Sequence, residues 1–323
     1  NQDDPFLVED ALLFILESGV RQRVPLRAVG QDAYFLKAYT IVADTTFASN
    51  RPIVVYDSLV VGRSAKLTLL AGTRLLFHEG AGLTVHGQLV AQGTLQQQVV
   101  LRGDRTDHIF DYLPYDRLPG RWEGLMLTAS SHDNDLVYVD LHSGNFGLVC
   151  DSSDLEVRKL TMENCRIHNI GGDGLRLRHC TATVENTEIS NTLGHCVSLL
   201  GGDAIFTHCT LAQFYPLSAS RGYALFVGNR DGEAYIPLYN ATFINCVITG
   251  YADDVVQGTW VAGQDNEAHY NFISSFVATE IPNGDEGFSD CLYDDPEGEV
   301  SHEKNFKLID THAFVYEIGR AHV

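Results

Sequence analysis

The sequence predicts an all-β chain wound as a parallel β-solenoid, and three observations carry that prediction. The first is an internal repeat. Met162-Glu163-Asn164-Cys165-Arg166-Ile167-His168-Asn169 recurs as Val184–Asn191 and as Phe206–Gln213, each 22 residues further on. It returns as Phe243–Gly250 after 37, which is 22 plus a 15-residue insertion. The second is the pattern of columns across those copies. The third is texture: from about residue 53, short apolar segments alternate with Gly, Asn and Asp, and no 3.6-residue period runs through them. A β-sandwich would also give short strands and regular turns, but not column identity at a fixed offset.

The columns describe a coil. Positions 160/162, 182/184, 204/206 and 241/243 are apolar with a step of two, as an inward strand face requires. The next apolar column (Cys165, Thr187, Cys209, Cys246) follows after three residues. The extra residue is Asn164, Asn186, His208 or Asn245, types that tolerate the left-handed backbone of a sharp corner. The strand resumes at Ile167, Ile189, Leu211 and Ile248, and another begins near Leu175/Leu177 and Val197/Leu199. Coils of about 22 residues would stack at the interstrand spacing of about 4.8 Å.

In chain order, residues 1–30 read as a β-hairpin. The apolar run Ala11–Leu16 meets a turn at Glu17-Ser18-Gly19, and Val24, Leu26 and Ala28 alternate with Arg23, Pro25 and Arg27 on the return. A lone hairpin is marginal in water, so it is expected to be the last part of a truncated β-sandwich. Residues 31–52 read as a linker with one short strand, 53–264 as the solenoid, and 265–316 as an irregular capping region. Within the solenoid, Leu67-Thr68-Leu69 and Leu83-Thr84-Val85 suggest a looser copy sixteen residues apart, and Leu136–Leu141 a divergent copy. The closing string 317–323 reads as translated sequencing adapter, which would make the chain a fragment cut at both ends.

The glycine-punctuated stretch Leu67–Gly103, then Gly120-Arg121-Trp122-Glu123-Gly124-Leu125 and the Asn-Cys-x-Ile coils, resemble secreted right-handed parallel β-helix proteins of the pectin-lyase-like superfamily. The resemblance covers roughly residues 53–260. The hairpin at 1–30 is similar to the end of the immunoglobulin-like module that precedes such helices in bacterial surface lipoproteins. The resemblance implies a right-handed helix and a location outside the cell or on its outer surface, lipid-anchored through a missing N-terminus. It does not imply a reaction, because the fold hosts lyases, hydrolases, adhesins and stalks.

Composition narrows the partners. Lys and Arg number 22 against 42 Asp and Glu, a formal charge of −20, the wrong sign for a nucleic-acid backbone or an anionic membrane. No apolar run approaches the length of a membrane span. The seven cysteines include no CxxC pair and are expected as buried free thiols, with disulfides as the alternative.

Candidate chemistry follows from stacking, which makes residues 22 apart neighbours. Asp173 then meets His195, a carboxylate beside an imidazole that could do acid–base work, with Asp203 as a second carboxylate. Gly171-Gly172-Asp173-Gly174 and Gly194-His195 half resemble polygalacturonase-type motifs, but the paired Asp of those hydrolases is missing. Arg166 is expected opposite Glu188, and Asn169, Asn191 and Gln213 as an amide ladder. No metal site is predicted. Calcium enters only through a loop at Asp253-Asp254, and the acidic run at 285–299 reads as a solvated loop. Two irregular loops, 108–122 and 214–239, are rich in aromatics. They supply the candidate ligand-binding residues Tyr112, Tyr115, Arg121, Trp122, Tyr223 and Tyr235, since aromatic rings stack on the apolar faces of sugars.

The expected function is non-catalytic binding or display against a polysaccharide or cell-surface glycan. The alternatives are a polysaccharide lyase or glycoside hydrolase working in the groove, and a structural stalk or adhesin. A carboxylate and a base converging in a cleft would favour the enzyme, and an exposed aromatic strip the binder.

Overall fold

The computed structural model describes residues 6–30, 32–48, 50–261, 269–279 and 287–293. Among the described residues between 34 and 293 the chain winds as a parallel β-helix with three ladders, each strand pairing with its counterpart one coil away, and Ile53–Val61 serving two ladders at once. Among the described residues the first ladder holds ten parallel strands, from Thr45–Phe47 to Phe288–Ser289. The second passes through Val99–Gly103, Val139–His142, Arg166–Ile170, Glu188–Thr192 and Thr210–Gln213. The third passes through Leu125–Leu127, Leu148–Cys150, Leu175–Arg178, Val197–Leu200 and Leu225–Gly228.

The predicted register is the observed one. Ile167 pairs with Ile189, Ile189 with Leu211, and Leu211 with Ile248, and all four are buried. Each such side chain contributes about 1.5–3 kcal/mol by leaving water. On the first ladder Phe206, Phe243, Phe272 and Phe288 stack with centroids 4.9, 5.0 and 4.7 Å apart. The corner residues Asn164, Asn186, His208 and Asn245 all have φ between 45° and 56°, the left-handed backbone their types predict. Asn186 Nδ2 donates to Asn164 Oδ1 at 2.5 Å, an amide pair at a corner where the sequence did not predict one.

The column after the corner does more than fill space. Cys165, Cys209 and Cys246 each direct the thiol at the carbonyl two residues back, that of Glu163, Thr207 and Ile244 respectively. Thr187 and Ser275 do the same with a hydroxyl. Each of these carbonyls also accepts the corner N–H of the neighbouring coil, so the thiol or hydroxyl is a second donor to an oxygen that has two lone pairs. All seven cysteines are free thiols. Burial pushes the Cys165 and Cys196 thiols up to about 12, which makes them poor nucleophiles.

Two boundaries and one pairing differ from what the sequence predicts. Tyr34–Ile41 pairs in parallel with Ile53–Val61, so 31–52 contains the first coil rather than a linker. Its short strands lack a 22-residue partner upstream, and that hid them. Strands Tyr270–Ile273, Phe276–Val277, Phe288–Ser289 and Leu292–Tyr293 continue the ladders, so coils extend into 265–316. Leu67 and Leu83 do not stack on each other. Leu67 pairs with Leu89, and Leu83 with Leu59 and Leu125, so the offset of sixteen joins two faces of one coil. The Leu136–Leu141 copy does align, with Leu136 on Met162 and Leu141 on Ile167. Phe6–Ile15 and Arg21–Gly30 form an antiparallel hairpin. Residues 317–323 lie outside the described residues.

Candidate functional site

The corner between the second and third ladders is where the solenoid departs from regularity. Most coils turn it in a few residues (143–147, 171–174 and 193–196). Two coils insert loops there, 104–124 and 214–224. These loops stand four coils apart on one flank and enclose a groove of about 550 Å³ over the ends of the intervening second-ladder strands. Leu113, Asp116 and Arg117 line it from the first loop, Tyr215, Pro216 and Leu217 from the second. Its floor is Asp140, His142, Arg166, His168, Asn169 and Asn191.

The floor holds a cluster that the sequence reading missed. His142 pairs across the ladder with His168, and Asp140 with Arg166. His142 Nδ1 donates to Asp140 Oδ1 at 3.0 Å, and His168 Nε2 donates to the same oxygen at 2.9 Å. Arg166 Nη2 holds Asp140 Oδ2 at 2.7 Å. The two imidazoles stack with centroids 4.7 Å apart, and Asn169 Nδ2 lies 2.9 Å from His168 Nδ1. Burial pushes the Asp140 carboxyl up, but the hydrogen bonds and charges of the two histidines outweigh it, so the group stays well below the usual carboxylate range. Burial lowers the His142 pKa against the pull of Asp140. Beside the cluster, Arg102 Nη1 binds Asp116 Oδ2 at 3.0 Å and anchors the first loop. Asp116 Oδ1 is buried without a hydrogen-bond partner.

The predicted dyad is not one. Asp173 Oδ1 accepts the backbone N–H of His195 at 2.9 Å, and its Oδ2 takes Arg176 Nε and Nη2 at 2.9 and 2.8 Å. The His195 ring looks elsewhere: Nδ1 accepts the Tyr223 N–H at 3.0 Å, and the ring stacks on Phe226 and Tyr223. The glycines of that motif serve close packing. A Cβ on Gly194 would lie 2.3 Å from Asp173 Oδ1. Asp203 sits on the first ladder and accepts Asn240 Nδ2 at 2.9 Å, whereas Asp173 lies in the turn between the second and third ladders.

Other expected pairings also dissolve. Arg166 and Glu188 are in register, but the guanidinium turns to Asp140 and Glu188 takes the Ser190 hydroxyl at 2.7 Å. Gln213 Nε2 donates to Gly194 O at 2.7 Å and Thr192 Oγ1 at 3.1 Å, not to an amide ladder with Asn191. Asp254 Oδ1 accepts the Thr279 hydroxyl at 2.9 Å. Most of the acidic run at 285–299 lies outside the described residues.

The aromatic candidates divide. Trp122 is fully buried, stacks on Phe77 at 4.4 Å and donates Nε1–H to His142 O at 2.8 Å, so it is core and offers no face to a sugar. Tyr115 is covered by the guanidinium of Arg105 at 3.6 Å, with that of Arg121 at 5.6 Å. Tyr223 is half-buried against His195. Tyr235 belongs to a hairpin after Leu225–Gly228, so 214–239 is two excursions at different corners, and Tyr235 does not line the groove. Tyr112 stands 78% exposed beside the groove-lining Leu113 and stacks on Phe110 at 5.6 Å.

Residues 146–280 match the family model of the right-handed β-helix region. No curated protein matches the chain. The all-β parallel ladders and this match together give the fold as a right-handed parallel β-helix. No described helix is long and apolar enough to cross a membrane.

Proposed function

We propose that this right-handed β-helix binds a glycan chain in the groove between its two loops, outside the cell or on its surface. The observation that carries the reading is the groove itself. Its lining is dominated by side chains with hydrogen-bonding heads, among them Arg117, Arg166, His168, Asn169 and Asn191, with Leu113, Pro216 and Leu217 supplying apolar contact. That mixture suits a sugar, whose hydroxyls need fixed partners and whose C–H faces need apolar ones. The Phe110–Tyr112 pair extends the apolar surface at one end. Within the lining, Arg166 pairs with Asp140, while Asp116 pairs with Arg102 behind it. The lining sets two carboxylates, Asp116 and Asp140, against two guanidiniums, Arg117 and Arg166, so the field of the whole chain, at −20, decides the sign, and neutral glycans should bind better than polyuronates.

Titration of neutral oligosaccharides and polyuronates by calorimetry tests this. Neutral chains should bind, and Tyr112→Ala and Asn191→Ala should each weaken them about tenfold. Absence of binding across the panel, or binding indifferent to both variants, would sink the reading. A second reading, polysaccharide cleavage in the same groove, is favoured by the convergence of two imidazoles and a carboxylate there. New reducing ends or ultraviolet-absorbing products, lost in His142→Ala, would establish it in place of simple binding.

A further inference from the structure

We propose that Asp140, His142 and His168 form a binding site for one divalent transition-metal ion of the zinc class, with its open coordination position facing the groove.

The geometry comes first. One ligand atom from each of the three residues lies within 4.8 Å of the other two. Asp140 Oδ1 already gathers His142 Nδ1 and His168 Nε2 at 3.0 and 2.9 Å. Ligands around a tetrahedral zinc, bonded at about 2.0–2.2 Å, stand about 3.2–3.5 Å apart. The two edges from Asp140 Oδ1 need open by only a few tenths of an ångström to admit an ion, and the third, between the imidazole nitrogens, lies within 4.8 Å. Two of the residues are buried and the third nearly so, each held by a ladder strand rather than by a loop tip.

The donor set selects the metal. Two imidazoles and one carboxylate suit zinc, cobalt or nickel, whereas calcium takes six to eight oxygens. Three protein ligands leave a fourth position open, the arrangement of reactive rather than structural zinc sites. All three residues line the groove, so that position is accessible from it.

The surroundings orient the ligands as a metal site requires. Arg166 occupies Asp140 Oδ2, which leaves Oδ1 as a single ligand oxygen. Asn169 lies against His168 Nδ1. When His168 Nε2 turns its lone pair to a metal, the ring proton moves to Nδ1, and a half-turn of the Asn169 amide lets its oxygen accept that proton's hydrogen bond. Two cations stand beside the cluster, each with a carboxylate partner: Arg166 with Asp140 itself, and Arg102 with Asp116. Arg166 would share its partner with the ion.

A simple hydrogen-bond network explains the same distances, and metal stoichiometry separates the two. Tag-free protein would be stripped with a chelator, dialysed, and titrated with Zn2+ in excess Ca2+ and Mg2+, without any glycan. One equivalent of Zn2+ should bind. Binding should fall at least about 100-fold in the double variant His142→Ala, His168→Ala, and stay unchanged in His132→Ala, an exposed imidazole outside the groove. Circular dichroism in chelator establishes that each variant is folded. Co2+ added to the unaltered protein should give the visible bands of a low-coordinate nitrogen–oxygen site, a readout that needs no variant. Absence of stoichiometric Zn2+ binding, a hydrated-ion Co2+ spectrum, or equal affinity in a folded double variant would overturn the proposal. Because no sugar is present, its failure and that of glycan binding are read separately.

Discussion

Two corners of this helix bring a carboxylate and histidines together, and they do opposite things. At the Asp173–His195 corner every polar atom named above is spent on the coil itself: a backbone N–H, an arginine, and a backbone donor to the imidazole. At the Asp140–His142–His168 corner the imidazoles turn to the carboxylate instead, beneath a groove walled by two loops. The first lies in a tight turn where Gly194 brings backbone against carboxylate. The second lies at strand ends, where side chains on adjacent coils face outward in register. The tight turn ties its polar groups to the backbone, and the strand ends beside the inserted loop tie theirs to one another on a surface that lines the groove.

The comparison rests on one buried column carrying both corners, and the largest predicted effect tests that. Ile189→Asp should abolish folding, because it places an unpaired charge between packed coils. No cooperative thermal transition should remain. Trp122→Ala comes next, at about 3–5 kcal/mol in denaturant unfolding, because the indole is fully buried. Loss of glycan affinity with unchanged stability would instead restore Trp122 to the ligand surface.

The two carboxylates can then be set against each other. Asp173→Asn should lower stability by about 1–3 kcal/mol, through loss of a charge-assisted pair to Arg176, and leave groove ligands unaffected. Asp140→Asn should disturb ligand binding in the groove. If the Asp173 variant alone altered binding, the roles assigned to the corners would be reversed.

A smaller effect comes from His195. Burial lowers its pKa, against the pull of Asp173. Between the unfolded value of about 6.5 and the lower folded one, the unfolded chain holds a proton that the folded chain does not. Stability should therefore fall as pH falls through that window, and the slope should shrink in His195→Gln. Urea unfolding at several pH values measures it. The smallest effect belongs to Glu188→Ala, an outward neighbour of Ile189, at no more than about 0.5 kcal/mol. Equal sensitivity at 188 and 189 would refute the register.

The coil was legible in the sequence because its rules are local and repeated. An asparagine or histidine at the corner, a small residue after it, and apolar pairs before and beyond gave the register of Ile167, Ile189, Leu211 and Ile248. The metal-type cluster was hidden by four residues. Tyr138 and Asn164 occupy the same corner at an offset of 26, because the turn at Asp151–Val157 is longer than the one at His179–Cys180. An offset of 22 does not set His142 beside His168, which pair at 26. Extending the divergent Leu136–Leu141 copy by one residue would have done so. The Asp173–His195 motif misled for the reverse reason: the offset was right, but spacing says nothing of which atoms meet. Aromatics in loops were equally ambiguous, since Trp122 and Tyr112 share a loop and only one faces solvent.

The loops that wall the groove are rooted in coils four steps apart, at about 4.8 Å per step, so the floor between them is about 19 Å long. A ladder cannot lengthen by a fraction of a strand. The groove is thus a ruler with whole-coil graduations, and insertion or deletion of one coil would retune the length of the occupant it accepts by a discrete increment while every corner kept its own chemistry.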